Sequence, residues 1–378
     1  MIHGDVLGER ARLSPHRTAL VFVETGESIS YRDLDARARA LARVLRGPLG
    51  LSPGDRVGLL SHNRPEFIEA YFGAAKARCP LVPIGTRLTP TEILPIIEDS
   101  GLGVLFYDGT LGSVVEGLRG VSGLRFVALD APLHDTDLPL ADLVAAVAND
   151  ADPERPEPDD LFALLYTSGT TGRPKGVMVP HRMVGWNAYN TVVAWQLGED
   201  DVSPLFTPLY HAGGLAAFLT PILLAGGTIV LHAKFDAAEV WHAMAREKAT
   251  VVLGVPTIWK LLLECPEIDR VDLSSVRWFI SGGAPMPANV LSAYQERGFV
   301  MKQGYGMTEV GVNCFTMSEQ DSVRKPGSIG RLLPFTEARL VDDEGVEVGE
   351  GLAGELCLRG PHVCAGYWRN AEATAAAL

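Results

Sequence analysis

From Tyr166 to Gly176 the chain reads Tyr-Thr-Ser-Gly-Thr-Thr-Gly-Arg-Pro-Lys-Gly. Four hydroxyl side chains (Thr167, Ser168, Thr170, Thr171), three glycines (Gly169, Gly172, Gly176) and Lys175 fall within these eleven residues. Glycine lets backbone N–H groups approach an anion closely, and the hydroxyls add side-chain donors. Lys175 supplies the compact positive charge that suits a phosphate. The apolar run Leu-Phe-Ala-Leu-Leu-Tyr at 161–166 reads as a buried strand. The loop therefore leaves a strand end, where open α/β sheets bind ligands. Its composition points to nucleotide phosphates. It is not a Walker loop, which needs Gly directly before the Lys and Ser or Thr directly after it. Here Pro174 precedes Lys175, which disfavours a helix entry, and Gly176 follows.

Further candidates lie downstream. Ser281-Gly282-Gly283-Ala284-Pro285-Met286 follows a predicted strand over 276–280, and its glycines let a planar ring lie against the backbone. Gln303-Gly304-Tyr305-Gly306-Met307-Thr308-Glu309 places a carboxylate after a glycine-rich turn. Such a carboxylate suits Mg²⁺, which is commonly held by one or two carboxylates plus substrate phosphates.

The stretch 166–176 closely resembles the phosphate-loop signature of the adenylate-forming superfamily. That superfamily contains acyl-CoA synthetases, adenylation domains of nonribosomal peptide synthetases and firefly luciferase. The segment 303–309 resembles its second specific motif. The resemblance implies that Thr167, Ser168, Gly169, Thr170, Thr171, Gly172 and Lys175 bind ATP phosphates. It implies that Ser281, Gly282, Gly283, Ala284, Gly304, Tyr305, Gly306, Met307 and Thr308 surround the adenylate, with Tyr305 packed on adenine. Glu309, together with Thr167, would hold Mg²⁺. Phe206-Thr-Pro-Leu-Tyr-His-Ala-Gly-Gly-Leu215 resembles the family's acyl-pocket segment, so Tyr210, His211, Gly213, Gly214, Leu215, Gly282 and Gly304 are expected to line it. Thr167, Lys175, His211, Thr308 and Glu309 are the expected catalytic residues. The segments 29–34, 76–89 and 354–368 also resemble family markers, with roles that are mostly architectural.

Amino-acid-activating members usually place an aspartate in the acyl-pocket segment, yet no Asp or Glu occurs from Pro204 to Ala233. A buried ammonium without a counter-charge is costly. An acid without an α-amine is therefore expected, a fatty acid first and an aryl acid next.

Composition narrows the class. The chain has 378 residues, a net charge of −13 and 47% hydrophobic residues, enough for a large core in more than one subdomain. The acidic balance argues against nonspecific binding to nucleic acid or an anionic membrane. Five scattered cysteines (Cys79, Cys265, Cys314, Cys357, Cys364) form no CxxC pair and read as reduced core residues of a cytoplasmic protein. The N-terminus carries His3, Asp5, Glu9 and Arg10, unlike a signal peptide. The uncharged run from Thr207 to Ala233 is divided by Pro221 and Gly226-Gly227, so it reads as a buried helix, a turn and a strand rather than a membrane span.

Strand and helix patterns alternate along the chain. Helices are expected over 33–46, 63–77 (capped by Asn63) and 91–100, with strands at 29–31, 55–60, 81–84, 104–107 and 126–129. This alternation predicts an α/β fold with two parallel-sheet subdomains flanked by helices, over 1–158 and 159–325. A small antiparallel β subdomain is expected over 326–378, ending in a short Ala-rich helix.

The expected function is an ATP-dependent acid–thiol ligase using Mg²⁺ and CoA. Its partners are a small carboxylic acid and CoA; self-association into a homodimer stays open. Two rivals are a ligase that loads an acyl-carrier protein and a non-catalytic adenylate-binding protein. In the family a Thr-Gly-Asp, a hinge and a lid domain carrying a further lysine follow the last motif. The 378 residues are thus expected to be the large domain, and to bind an acyl-adenylate better than they make one.

Overall fold

A computed structural model describes residues 4–148, 150–167 and 174–378. Three mostly parallel sheets dominate. The largest has seven strands, in the order Leu138–Pro139, Arg125–Ala128, Val104–Tyr107, Val57–Leu60, Leu81–Ile84, Leu161–Thr167 and Lys175–Pro180. Its three central strands are buried at every residue, as expected of parallel strands covered on both faces. A second sheet orders Val202–Leu205, Thr228–Leu231, Thr18–Phe22 and Glu27–Ser30. The third aligns Val251–Gly254, Trp278–Ser281 and Met301–Gln303, all parallel. Thr250 N donates to Val202 O at 2.9 Å, joining the second sheet to the third. Two small antiparallel pairs complete the sheets, Phe315–Thr316 with Arg331–Leu332 and Glu337–Val341 with Glu355–Arg359. The α/β class is as expected, with parallel sheets flanked by helices and small antiparallel sheets.

Sheet membership does not follow the expected boundaries at 158/159 and 325/326. Strands Leu161–Thr167 and Lys175–Pro180 complete the first large sheet, while Thr18–Phe22 and Glu27–Ser30 pair into the second. Likewise Phe315–Thr316 pairs with Arg331–Leu332 across residue 325. Periodicity along the chain reports where strands are and carries no information on which distant strand each one pairs with. The strand Lys175–Pro180 runs antiparallel to Leu161–Thr167, with Thr167 opposite Lys175. Pro174 is thus followed by a strand, in keeping with a non-Walker loop. Residues 168–173 lie outside the described residues, and with them the expected phosphate-binding Ser168, Gly169, Thr170, Thr171 and Gly172.

Local signals mostly hold. The helix Tyr31–Arg46 buries Leu34, Ala38, Leu41 and Leu45, and the Ser30 side chain accepts from Asp33 N. Tyr31 therefore starts this helix rather than extending the strand. The helix Pro65–Lys76 has Arg64 at its cap position, not Asn63, and no side-chain capping bond. Asn63 is engaged elsewhere, as described below. The uncharged run becomes a π-helical segment Gly213–Leu219, the helix Thr220–Ala225, a left-handed Gly226 and the strand Thr228–Leu231. No helix among the described residues is long and apolar enough to cross a membrane. All five cysteines are free, and Cys79, Cys314 and Cys364 are buried.

Candidate functional site

A cavity of about 910 Å³ opens where the three large sheets meet. Most of its wall is built from segments that follow the carboxyl end of a parallel strand. His62 and Asn63 follow Val57–Leu60, and Thr86 and Arg87 follow Leu81–Ile84. Phe206 to Pro208 and Tyr210 to Gly214 follow Val202–Leu205, and Ala233 to Phe235 follow Thr228–Leu231. Val255, Gly282 and Gly304 begin the turns after the three strands of the third sheet. Parallel strands bring their carboxyl ends to one edge, so turns far apart in sequence converge on one crevice.

Most of the expected adenylate and acyl residues line this cavity: Tyr210, His211, Gly213, Gly214, Gly282, Gly283, Gly304, Tyr305, Gly306, Met307 and Thr308. Three depart from expectation. Leu215 is fully buried and packs in the main core rather than facing the cavity. Ser281 is also buried, as the last residue of its strand, and Ala284 is exposed outside the cavity. Leu215 lies within the π-helical segment, where Gly214, Leu215, Ala217, Phe218 and Leu219 are all buried, so a lining position cannot be told from a core position along the linear motif.

Glycines shape the wall. A Cβ at Gly306 would stand 2.0 Å from Val312 O, and one at Gly214 would stand 2.4 Å from Pro208 O. Both positions therefore demand glycine on steric grounds, because backbone would have to move. At Gly282, by contrast, a Cβ would meet nothing within 4 Å, so the backbone there offers an open face to a flat ligand. The Tyr305 ring is braced edge-on by Phe315, with centroids 5.7 Å apart.

His211 is exposed at the cavity mouth and its ring lies 4.6 Å from that of Tyr210. Partial burial and then the Arg87 charge hold its imidazole below the usual histidine range. It is thus neutral at neutral pH, able to donate one hydrogen bond and accept another.

Asn63 was legible only as a helix cap, yet it anchors the acyl-pocket segment. Its Nδ2 donates to Thr207 O at 3.0 Å and to His232 O at 3.2 Å, while Oδ1 accepts from Leu209 N at 2.8 Å. One buried amide so fixes the backbone two residues before His211.

The expected phosphate side gathers around Tyr367. Its hydroxyl donates to Glu309 Oε1 at 2.7 Å, and Lys175 Nζ stands 5.4 Å from its ring centroid. Burial, followed by the Glu309 contact, pushes the phenol well above its ordinary value, so it stays a donor. Cys364 N donates to Glu309 O at 2.8 Å, and Trp368 N donates to Gly176 O at 2.7 Å. The Gly366-Tyr367-Trp368 segment thus ties the phosphate-loop hairpin to Glu309, a role beyond the architectural one expected from the motif. Thr167, Lys175 and Glu309 stand outside the cavity wall itself. Among the described residues no group of three or more His, Cys, Asp or Glu side chains could hold a metal alone. A single carboxylate fits an Mg²⁺ ion that arrives on nucleotide phosphates rather than one caged by protein. Tyr367→Phe keeps the ring beside Lys175 but removes the donor to Glu309. It is expected to lower stability by about 1–2 kcal/mol, read as the denaturant midpoint. An unchanged midpoint would show that the tie is held by the backbone alone.

A family model described as "AMP-binding enzyme" matches residues 7–368. The chain is 38% identical to a feruloyl-CoA synthase of Amycolatopsis sp, over 98% of this chain and 72% of that protein. It is 34% identical to the long-chain-fatty-acid–CoA ligase FadD13 of Mycobacterium tuberculosis, over 98% of this chain and 73% of that protein. Among solved structures, the inhibitor-bound N-terminal domain of FACL13 from Mycobacterium tuberculosis matches with a TM-score of 0.92 at 32% identity. That match covers 100% of this chain and 94% of the other. The o-succinylbenzoate CoA synthetase MenE from Bacillus subtilis, in complex with its acyl-adenylate intermediate, matches with a TM-score of 0.87 at 29% identity, over 100% of this chain and 74% of the other.

Proposed function

The chain belongs to the AMP-binding enzyme family, in which its relatives are acyl- and aryl-CoA ligases, and on that premise we propose that it is the adenylate-binding large domain of an ATP-dependent acid–CoA ligase. ATP and CoA use fits this family. The observation that carries the reading is the convergence of Tyr305, Thr308, His211 and the open Gly282 backbone on one cavity.

In the proposed reaction a carboxylate oxygen of the acid attacks the α-phosphorus of ATP in line, and pyrophosphate leaves. The CoA sulfur then attacks the acyl carbon, and AMP leaves. Catalysis of this kind is positioning plus charge stabilisation. Adenine lies on the Gly282 backbone beside Tyr305. Thr308 offers its hydroxyl to the phosphate or carboxylate. Neutral His211 borders the carboxylate without forming an ion pair that would favour the ground state. Glu309, steadied by Tyr367, and Thr167 would hold Mg²⁺, which supplies charge neutralisation at the phosphates when bound. Lys175 meets the phosphates from the loop hairpin.

The acid is apolar, because Leu253, Val255, Ile258, Ile280 and Val312 line much of the cavity. The sequence ranks a fatty acid first. Trp195 is the one tryptophan among the cavity-lining residues, and the feruloyl-CoA synthase similarity supports an aryl acid as the rival. The five free cysteines support a reducing, cytoplasmic setting.

Thermal shift with non-hydrolysable fatty-acyl, aryl and aminoacyl adenylate analogues tests the proposal. Analogue at a hundredfold its dissociation constant should add about 2.7 kcal/mol, on the order of a few degrees. The aryl analogue should stabilise most and the aminoacyl analogue least. Absence of a shift with every analogue would overturn the assignment of the site.

A further inference from the structure

The two carboxylate oxygens of Glu309 are not equivalent. Oε1 accepts the Tyr367 hydroxyl proton at 2.7 Å, and among the described residues no hydrogen bond or ion pair engages Oε2. A phenol held against Oε1 crowds that oxygen and draws on its charge. Glu309 therefore offers a cation one strong oxygen rather than a pair.

The phenol is itself fixed from several sides. Tyr367 lies in a short third strand along the outer edge of the phosphate-loop hairpin, where it forms an antiparallel bridge with Val177. Met178 N donates to Gly366 O and Ala365 N donates to Met178 O, both at 2.9 Å. Tyr367 N donates to Thr374 Oγ1 at 2.9 Å. Cys364, three residues before Tyr367, holds the Glu309 carbonyl through its backbone N–H. One segment thus grips both the backbone and the side chain of the carboxylate. Burial, followed by the Glu309 contact, keeps the phenol protonated, so it stays a donor to Oε1.

We propose that Tyr367 is a specificity-determining residue for the divalent cation: by occupying Oε1 it leaves Glu309 a single oxygen for the metal, which favours Mg²⁺ over Ca²⁺ on the bound nucleotide. This rests on the reading of Glu309 as the metal carboxylate and deepens it. Mg²⁺ demands six ligands in near-ideal octahedral geometry and keeps several waters, so one carboxylate oxygen suffices beside the nucleotide phosphates. Ca²⁺ takes six to eight oxygens in flexible geometry and readily uses both oxygens of a carboxylate. Restriction to one oxygen costs the smaller ion nothing and denies the larger one part of its shell. Partners that orient a metal ligand in this way commonly govern metal affinity by 10–100-fold.

The test is a set of dissociation constants for α,β-methylene-ATP with saturating Mg²⁺ or Ca²⁺, beside that of a metal-free acyl-adenylate analogue. In the unaltered chain the nucleotide should bind about tenfold tighter with Mg²⁺ than with Ca²⁺. Tyr367→Phe should weaken the Mg²⁺ form about tenfold and bring the two constants to within about threefold of each other. The adenylate analogue should bind both chains alike, which a merely structural role for Tyr367 would not allow. Thr374→Val removes the acceptor of Tyr367 N; it should narrow the ratio too, and serves if Tyr367→Phe fails to fold. No metal preference in the unaltered chain, a ratio that survives Tyr367→Phe, or an equal weakening of the adenylate analogue would overturn the inference. Glu309→Gln separates this from the reading beneath it, since nucleotide binding should then become indifferent to the metal. A metal dependence that survives Glu309→Gln would remove Glu309 as the metal carboxylate, and failure of the unaltered chain to bind the nucleotide with either metal would remove the functional reading itself.

Discussion

Asn63→Ala should destabilise the fold and loosen the acyl-pocket segment together. It strips partners from three backbone groups at once: Thr207 O, His232 O and Leu209 N. Each buried polar group left without a partner costs about 1–3 kcal/mol. Asn63 also lines the cavity, so water can replace part of the loss. We expect a net destabilisation of about 2–4 kcal/mol, seen as a fall in Tm on the order of 5 °C. Because the freed backbone leads directly to Tyr210 and His211, binding of an aryl adenylate analogue should weaken in parallel. A variant that melts with the unaltered chain would mean that Asn63 is not what holds this segment.

Acid should destabilise the fold through His232 and His362. Both side chains are buried, at 1% and 0% exposure. Desolvation pushes each imidazole down to about 4, with the Arg246 charge adding to the effect at His232. In the unfolded chain both would protonate near the ordinary value of 6.5. Protons therefore favour the unfolded state between these values. The stability they confer is fully present above pH 6.5 and is lost as pH falls toward 4. At pH 5 the loss is about 2 kcal/mol for each histidine, or about 4 kcal/mol for both. Glu69 works in the opposite sense, since burial raises its carboxyl to about 7. The clean measurement is thus a comparison of the unaltered chain with a His232→Asn, His362→Asn double variant, in which the Glu69 contribution cancels. Denaturant unfolding from pH 7 to 5 should show the unaltered chain losing about 4 kcal/mol more than the variant. Parallel pH profiles would refute the buried-neutral assignment.

Both predictions concern side chains whose importance the linear sequence conceals. Asn63 stands one residue before an Arg-Pro helix start, and that position reads locally as a cap. Its partners lie 144 to 169 residues away, so only the meeting of two sheets reveals them. Trp195 sits on a helix with no motif at all. Tyr367 belonged to a motif already recognised, but its contact with Glu309 spans 58 residues.

The sequence by itself determined the elements and the chemistry. Apolar four-residue runs marked the central strands, helical spacing marked Tyr31–Arg46, and dense glycine and hydroxyl motifs marked the adenylate-forming class. These signals are local: a period, a turn or a motif is complete within about a dozen residues. Tertiary structure decided which strands share a sheet, and so sent the phosphate-loop hairpin to the first sheet and the N-terminal hairpin to the second. It also withdrew Leu215 from the cavity and aimed Asn63 at the acyl-pocket backbone. Each of these follows from hydrogen bonds between segments that meet only when parallel strands align their carboxyl ends, and no local pattern encodes that meeting.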